Sequence, residues 1–259
     1  MICPVFLCKY MNEQELCKKR LMDLSYMAEQ RGIVLFSDFL NLNEQNIYHS
    51  MERELYTQTD SFGGYEGAER QMVAFIPDAL CYEWKYPFIC LKIQPQYPKF
   101  AEELTHRDLL GAVMHLGIVR GKVGDIVKQN DAFYLFLDES MKDFLVDNLT
   151  KVKHTMVYLT EVDAGDLQVK PSLREHHDTI ASNRIDCIIA KAYHLSRSEA
   201  AEYLIAEKVF IDGRCITNCN QSCEDSSIVS VRGKGRLIFR TEEGFSKKGK
   251  RKVTFLYFE

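Results

Sequence analysis

A chain of 259 residues, 46% hydrophobic and 27% charged, has room for two or three domains with cores of their own and the balance of an ordinary globular protein. No apolar run reaches the ~20 residues that span a bilayer. Met1–Tyr10 has neither a basic lead nor a small-residue cleavage site, which argues against a signal peptide. The nine cysteines are odd in number and scattered, so reduced thiols and a cytoplasmic location are expected.

Residues 11–31 carry Leu16, Leu21, Leu24 and Met27–Ala28 at helical spacing, and Gly32 ends the run. A second helix is expected near Asn43, which could cap Glu44 onward, with Ile47, Met51 and Leu55 on its apolar face. Ser61-Phe62-Gly63-Gly64-Tyr65 reads as a turn, followed by a strand from Gln71 to Ile76.

From Phe88 the pattern predicts a strand to Ile93, then a helix over Thr105–Leu116 with Thr105 and Asp108 as a capping pair. Strands follow at Gly124–Val127 and Ala132–Leu137, then a helix at Ser140–Leu149 and a strand at His154–Val162. The order is β-α-β-β-α-β, an α/β sandwich of the RRM-like kind with one sheet face open for binding. Ala132–Leu137 has aromatic side chains but no Gly or basic residue, so its rings are expected in the core or under the N-terminal helices, with base stacking as the alternative. His106-Arg107-Asp108 is no catalytic trio, because neighbours on a helix do not converge on one point. Asp163–Ser182, polar and with the pair His176–His177, reads as a linker.

The charge is unevenly spread. Fourteen basic and ten acidic side chains lie from Asn183 onward, leaving 19 and 27 before it, so a basic end sits on an acidic body. Ile185, Ile188, Ile189 and Ala192 mark one helix face; Ser196 and Glu199 form a capping box for the next helix. That helix start, with Arg197 and Ser198, suits a phosphate. Asp212-Gly213 signals a hairpin, with Arg214 directly after it. Arg232-Gly233-Lys234-Gly235-Arg236 is a basic turn, and Lys247, Lys248, Lys250 and Arg251 crowd the approach to the last strand. Such spread charge suits backbone recognition of structured RNA. Cys215, Cys219 and Cys223 lack CxxC spacing, and no metal site is expected.

Arg184-Ile185-Asp186, Ser196-Arg197-Ser198-x-Ala200, Leu204-Ile205 and Val209-x-Ile211-Asp212-Gly213 resemble the S4 (αL-motif) RNA-binding domain. The stretches Phe62–Arg70, Leu104–Ala112, Leu116–Arg120, Gly124–Ile126 and Arg232–Arg236 resemble the YlmH family, in matching order over roughly residues 35 to 259. This resemblance implies an α+β chain: an N-terminal helical segment with a strand (1–80), an RRM-like domain (81–165), a linker (166–182) and an S4 domain (183–259). It also implies a monomeric, non-enzymatic factor without cofactor that binds rRNA and tRNA on the large ribosomal subunit and acts in rescue of stalled translation. The expected RNA-binding residues are Arg184, Lys191, Ser196, Arg197, Ser198, Lys208, Arg214, Arg232, Lys234 and Arg236. Secondary contacts are expected from Arg107, Arg120, Lys122, Lys247, Lys248, Lys250 and Arg251, with contact to the N-terminal segment as the alternative for Arg107 and Arg120. An RNA-modifying enzyme is the alternative, but no Gly-rich cofactor loop follows a strand. A cell-division scaffold is a third reading.

Overall fold

The computed structural model describes residues 13–78, 82–129, 132–163, 173–246 and 249–258. The chain forms two compact units, Met1–Val169 and Lys170–Glu259. Among the described residues no helix is long and apolar enough to cross a membrane.

The first unit opens with α1 (Glu13–Arg31), which buries Leu21, Ser25 and Ala28. Gly32 ends it with φ of +62°, a left-handed conformation that glycine reaches without steric cost. After β1 (Leu35–Phe36) comes α2 (Leu42–Met51). Its cap is Asn41, two residues before the expected Asn43: the Asn41 side chain accepts from the Glu44 amide, and the Glu44 carboxylate accepts from the Asn41 amide. β2 (Gln58–Phe62) and β3 (Met72–Ile76) complete an antiparallel sheet in the order β1-β3-β2. β2 takes in Ser61 and Phe62, so the turn begins only at Gly63. Its mixed polar sequence carries a weak strand signal, and register with β3 decides it. Leu21, Ile47 and Met51 pack on Val73 and Phe75.

β4 (Phe88–Pro95), α3 (His106–His115), β5 (Val123–Gln129), β6 (Ala132–Asp138), α4 (Lys142–Asn148), β7 (Lys151–Val152) and β8 (Thr155–Val162) follow in that order. They form an antiparallel sheet ordered β5-β6-β4-β8-β7. Thr105 caps α3 and shares a full capping box with Asp108. Leu109 and Val113 of α3 and Leu145 of α4 pack on one sheet face, against Leu91, Ile93, Leu135 and Leu137.

The opposite face is half covered. Phe136 and Cys90 are buried beneath Phe39 and Met72 of the N-terminal segment, with Tyr65 and Phe88 packed alongside. Strands alternate, so Tyr134 and Phe136 share this face while Phe133, Leu135 and Leu137 face the helices.

The second unit begins with β9 (Leu173–Ile180), inside the stretch expected as a linker. Eight registered pairs tie β9 to the last strand. The expectation fails because the run Leu173–Ile180 has little apolar alternation: one edge of the sheet is built from His, Asp and Glu. α5 (Ile185–Ala192), α6 (Arg197–Ile205), β10 (Val209–Ile211), β11 (Arg214–Cys215), β12 (Ile228–Val231), β13 (Gly235–Phe245) and β14 (Arg251–Phe258) follow. The sheet runs β11-β10-β12-β13-β14-β9. Ile185, Ile188, Ile189, Ala200 and Leu204 of the two helices pack on Val229, Leu237, Phe239 and Phe255. Asp212 and Gly213 both have positive φ, 48° and 77°, as a two-residue hairpin turn with strand-matching twist requires.

Candidate nucleic-acid interface

The helix pair is set by two local devices. Ser196 accepts from the Glu199 amide at 3.2 Å, and the Glu199 carboxylate accepts from the Ser196 amide at 2.7 Å, so α6 starts at Arg197. The Ser196 amide and hydroxyl, together with the charge of Lys234, hold the Glu199 carboxyl below the usual range. Tyr193 donates its hydroxyl to the Gly235 carbonyl at 3.0 Å, and Tyr257 donates to the Ala192 carbonyl at 2.6 Å. These bonds dock the α5–α6 junction onto the start of β13 and the end of β14.

Three of the expected cations meet at one place. Lys191, Arg197 and Lys250 line a shallow pocket of about 200 Å³ over Cys187, Ala190 and Leu195. Arg197 rests its guanidinium on the Cys187 sulfur at 3.4 Å. Lys191 pairs with Asp178 of β9 at 3.1 Å, and its side chain remains 45% exposed. The pocket gathers three cations, of which Lys191 is already paired with Asp178. Lys250, expected only as a secondary contact, completes it.

A second group lies at the β12–β13 turn. The Arg232 amide donates to the Lys208 carbonyl at 2.9 Å, which fixes the two basic residues side by side. Lys208 stands over the Tyr203 ring at 5.7 Å and Arg232 over the Phe210 ring at 5.0 Å. Lys234 is exposed in the turn. Ser198 is exposed and hydrogen-bonded to Ser196 at 3.0 Å.

The remaining expected residues separate from these groups. Arg184 is the N-cap of α5 and grips Asp186 through two bonds, at 3.1 and 2.7 Å. Arg236 lies over the Phe258 ring at 4.1 Å, on the sheet face away from the helices. Arg214 sits on the edge strand, beyond the hairpin turn. Arg107 is exposed on α3, and Arg251 is exposed at the start of β14. Lys247 and Lys248 lie outside the described residues.

Arg120 and Lys122 are engaged inside the protein, Arg120 beside the N-terminal segment as its alternative reading had it. Arg120 donates to the carbonyls of Val123 and Gly124, and burial pulls its guanidinium down to about 10. Lys122 bridges Asp38 and Asp138 at 3.2 and 2.8 Å. Both are structural ties, part of the joint around Arg70. That guanidinium donates to the Val123, Phe39 and Arg120 carbonyls. Neither residue type nor spacing distinguishes such a buried arginine from a surface one.

The three cysteines also part. Cys223 is buried in the core, which pushes its thiol up to about 11, whereas Cys215 is exposed. Among the described residues no three His, Cys, Asp or Glu side chains are placed to hold a metal ion. Sequence reasoning missed one polar cluster: His177 of β9 contacts Glu242 at 2.7 Å and Thr254 at 2.9 Å.

Fold and site define the class: a two-unit α+β protein whose second unit gathers cations at the junction of a helix pair and a sheet. Comparison with known proteins is consistent with this. Residues 85–166 match the family model described as "Putative RNA-binding domain in YlmH". The chain is 28% identical to "Ribosome-associated protein quality control protein P2" of Bacillus subtilis (strain 168), over 94% of this chain and 92% of that protein. It shares a fold with "Cell division protein ylmH from Streptococcus pneumoniae", with a TM-score of 0.51 at 20% identity, over 62% of this chain and 97% of that structure. The resemblance to the YlmH family read from the sequence is thereby shown.

Proposed function

We propose that this protein is a non-enzymatic RNA-binding factor that docks structured RNA on the ribosome. Its partners in this reading are rRNA and tRNA on the large subunit, and its role is quality control of stalled translation in the cytoplasm. The observation that carries it is the convergence of Lys191, Arg197 and Lys250 on one open pocket. Similarity to a ribosome-associated quality control protein along nearly the full length supports it.

In this reading residues 183–259 act as an S4 domain, preceded by β9 as an added edge strand, and residues 81–165 as an RRM-like domain. Arg197, Lys191 and Lys250 hold one phosphate. Lys208, Arg232 and Lys234 engage the backbone further along, with Ser196 and Ser198 at the helix start. Arg184 orients the α5 start through Asp186, and Arg214 and Arg236 extend the basic surface.

The test is co-sedimentation of the full chain with ribosomes over a salt series. Wild-type association should fall steeply with salt, because each phosphate contact releases counterions. Arg197→Glu should weaken it at every salt concentration while the circular dichroism spectrum stays unchanged. Undiminished sedimentation of the folded variant would overturn the proposal.

A further inference from the structure

The residues before Asn183, with 19 basic against 27 acidic side chains, form a body that repels polyanions and attracts cations. One small cavity of the first unit concentrates this preference. It has a volume of about 230 Å³ and lies beside the start of β4 and the end of β8. Tyr86 and Phe88, both half-buried, form an aromatic wall, with ring centroids 5.5 Å apart and planes tilted by 34°. Phe136 backs Phe88 edge-on at 6.3 Å, and the Tyr86 hydroxyl donates to Asp60 at 2.9 Å, so the wall is held from behind. Ring surface continues beside the cavity through Trp84, 5.2 Å from Tyr86, and Phe62, 5.8 Å from Tyr86 and 41% exposed.

Three exposed carboxylates, Glu139, Glu161 and Asp163, line the same cavity, against Lys85 as its lining cation. The Glu139 amide donates to the Pro87 carbonyl at 2.9 Å, which holds that residue next to the wall. Glu161 forms an ion pair with Lys142, and with this lysine counted the carboxylates still outnumber the cations. The faces of aromatic rings are themselves negative, so wall and carboxylates together favour a cation and disfavour a phosphate. The volume falls below the ~300 Å³ at which small-molecule sites begin, and it suits a single side chain. A guanidinium meets both requirements: its plane stacks on a ring while its N–H groups reach a carboxylate. The ring surface next to the cavity gives the remainder of a polypeptide an apolar strip to lie on, which a free polyamine would leave unused.

We propose that this cavity docks an arginine side chain from a basic segment of a partner protein, stacked on Tyr86 and Phe88 and held by Glu139 and Glu161. The proposal stands apart from the RNA reading: it concerns the first unit and a partner of the opposite charge.

The test titrates the full chain into a fluorescent decapeptide of alternating arginine and glycine, at about physiological salt, and follows anisotropy. Tyr86→Leu should weaken binding on the order of fivefold, whereas Tyr86→Phe, which keeps the ring, should bind like wild type. Glu139→Gln combined with Glu161→Gln should weaken binding by a similar factor. Both carboxylates are exposed and the Lys142 pair is a surface one, so this variant keeps its fold. A peptide with citrulline in place of arginine, similar in shape but uncharged, should not bind. Arg197→Glu should leave peptide affinity unchanged while weakening ribosome association, so the two sites fail separately. A wild-type chain that does not bind the arginine peptide overturns the proposal. So do a folded glutamine double variant that binds like wild type, and Tyr86→Leu binding as tightly as Tyr86→Phe. Spermine displacing the peptide at equal charge concentration would assign the cavity to free polyamines and also overturn it.

Discussion

Arg184 and Asp186 face each other through two parallel hydrogen bonds, Nε to Oδ1 at 3.1 Å and Nη2 to Oδ2 at 2.7 Å. Asp186 is only 6% exposed, so Arg184 is the partner that makes its charge tolerable. Burial alone would raise the Asp186 carboxyl, but the bonds from Arg184 and Cys187 outweigh it and hold the group below its usual range. Arg184→Glu should therefore destabilise the second unit, by removing the partner of a largely buried carboxylate and setting another carboxylate beside it. Thermal unfolding checks this. A reduced RNA affinity of that variant would reflect the fold, whereas Arg197, on an exposed helix start, is the clean probe of binding.

The phosphate pocket predicts a graded salt response. Lys191→Ala and Lys250→Ala should each lower the slope of log affinity against log salt by about 1, with little change in stability. Arg120→Ala should leave the slope unchanged and lower the melting temperature, since its guanidinium serves two carbonyls inside the protein. Filter binding over a salt series separates the two behaviours. A slope change in Arg120→Ala without loss of stability would contradict the placement.

Asp125 collects three donors: the Tyr65 hydroxyl and Glu69 amide, both at 2.7 Å, and the Arg70 amide at 3.1 Å. Asp125→Ala removes all three part-buried bonds and should cost more than the loss of any one, at about 1 kcal/mol each. Tyr65→Phe removes one bond and should cost about 1 kcal/mol. Urea unfolding of both variants measures the difference; equal midpoints would show that the carboxylate does not organise the loop.

Gly64 has φ of +101°, and a Cβ built there would lie 2.1 Å from the Phe136 ring. Gly64→Ala should therefore cost about 3 kcal/mol or more, the strained backbone adding to a clash with a buried aromatic that has no room to yield. Gly67 also has positive φ but open space around it, so Gly67→Ala should cost less. Comparing the two by calorimetry isolates the contribution of the ring.

His177 gives a pH signature. Its hydrogen bond to Glu242 raises the imidazole above its usual range, and the charge of Glu175 adds to this. A raised folded-state value means that the contribution is fully present below the unfolded-state value of about 6.5 and fades as pH rises through the folded one. The His177 ring protons should titrate above those of a free histidine, and Glu242→Gln should bring them back. An unchanged midpoint in that variant would rule out the pair as the cause.

Much of this was legible in the residues, because local chemistry and tertiary structure agree there. Thr105 with Asp108, Ser196 with Glu199 and Asp212-Gly213 each specify their own geometry over three or four residues, and each is found as expected. β9 and β2 were not legible, because polar strands acquire their identity from a neighbour's register, which no local window contains. Within the candidate site, residue type predicted which side chains are basic but not which are spent internally. Arg120, Lys122 and Arg184 look like Arg197 in sequence, and only the carbonyls and carboxylates that the fold brings to them make the difference.

The seating of Phe39 and Met72 on Phe136 has a practical corollary for anyone isolating the segment 85–166. Such a fragment would lose its lid. Phe88, Cys90 and Phe136 would face water, and the excised piece would offer a broad aromatic plate that the whole protein does not possess. It would bind bases, detergents and itself through surface that is interior in the native chain. Affinities measured on that fragment would describe an artefact of the cut, so the smallest honest reagent for this sheet carries the N-terminal helices with it.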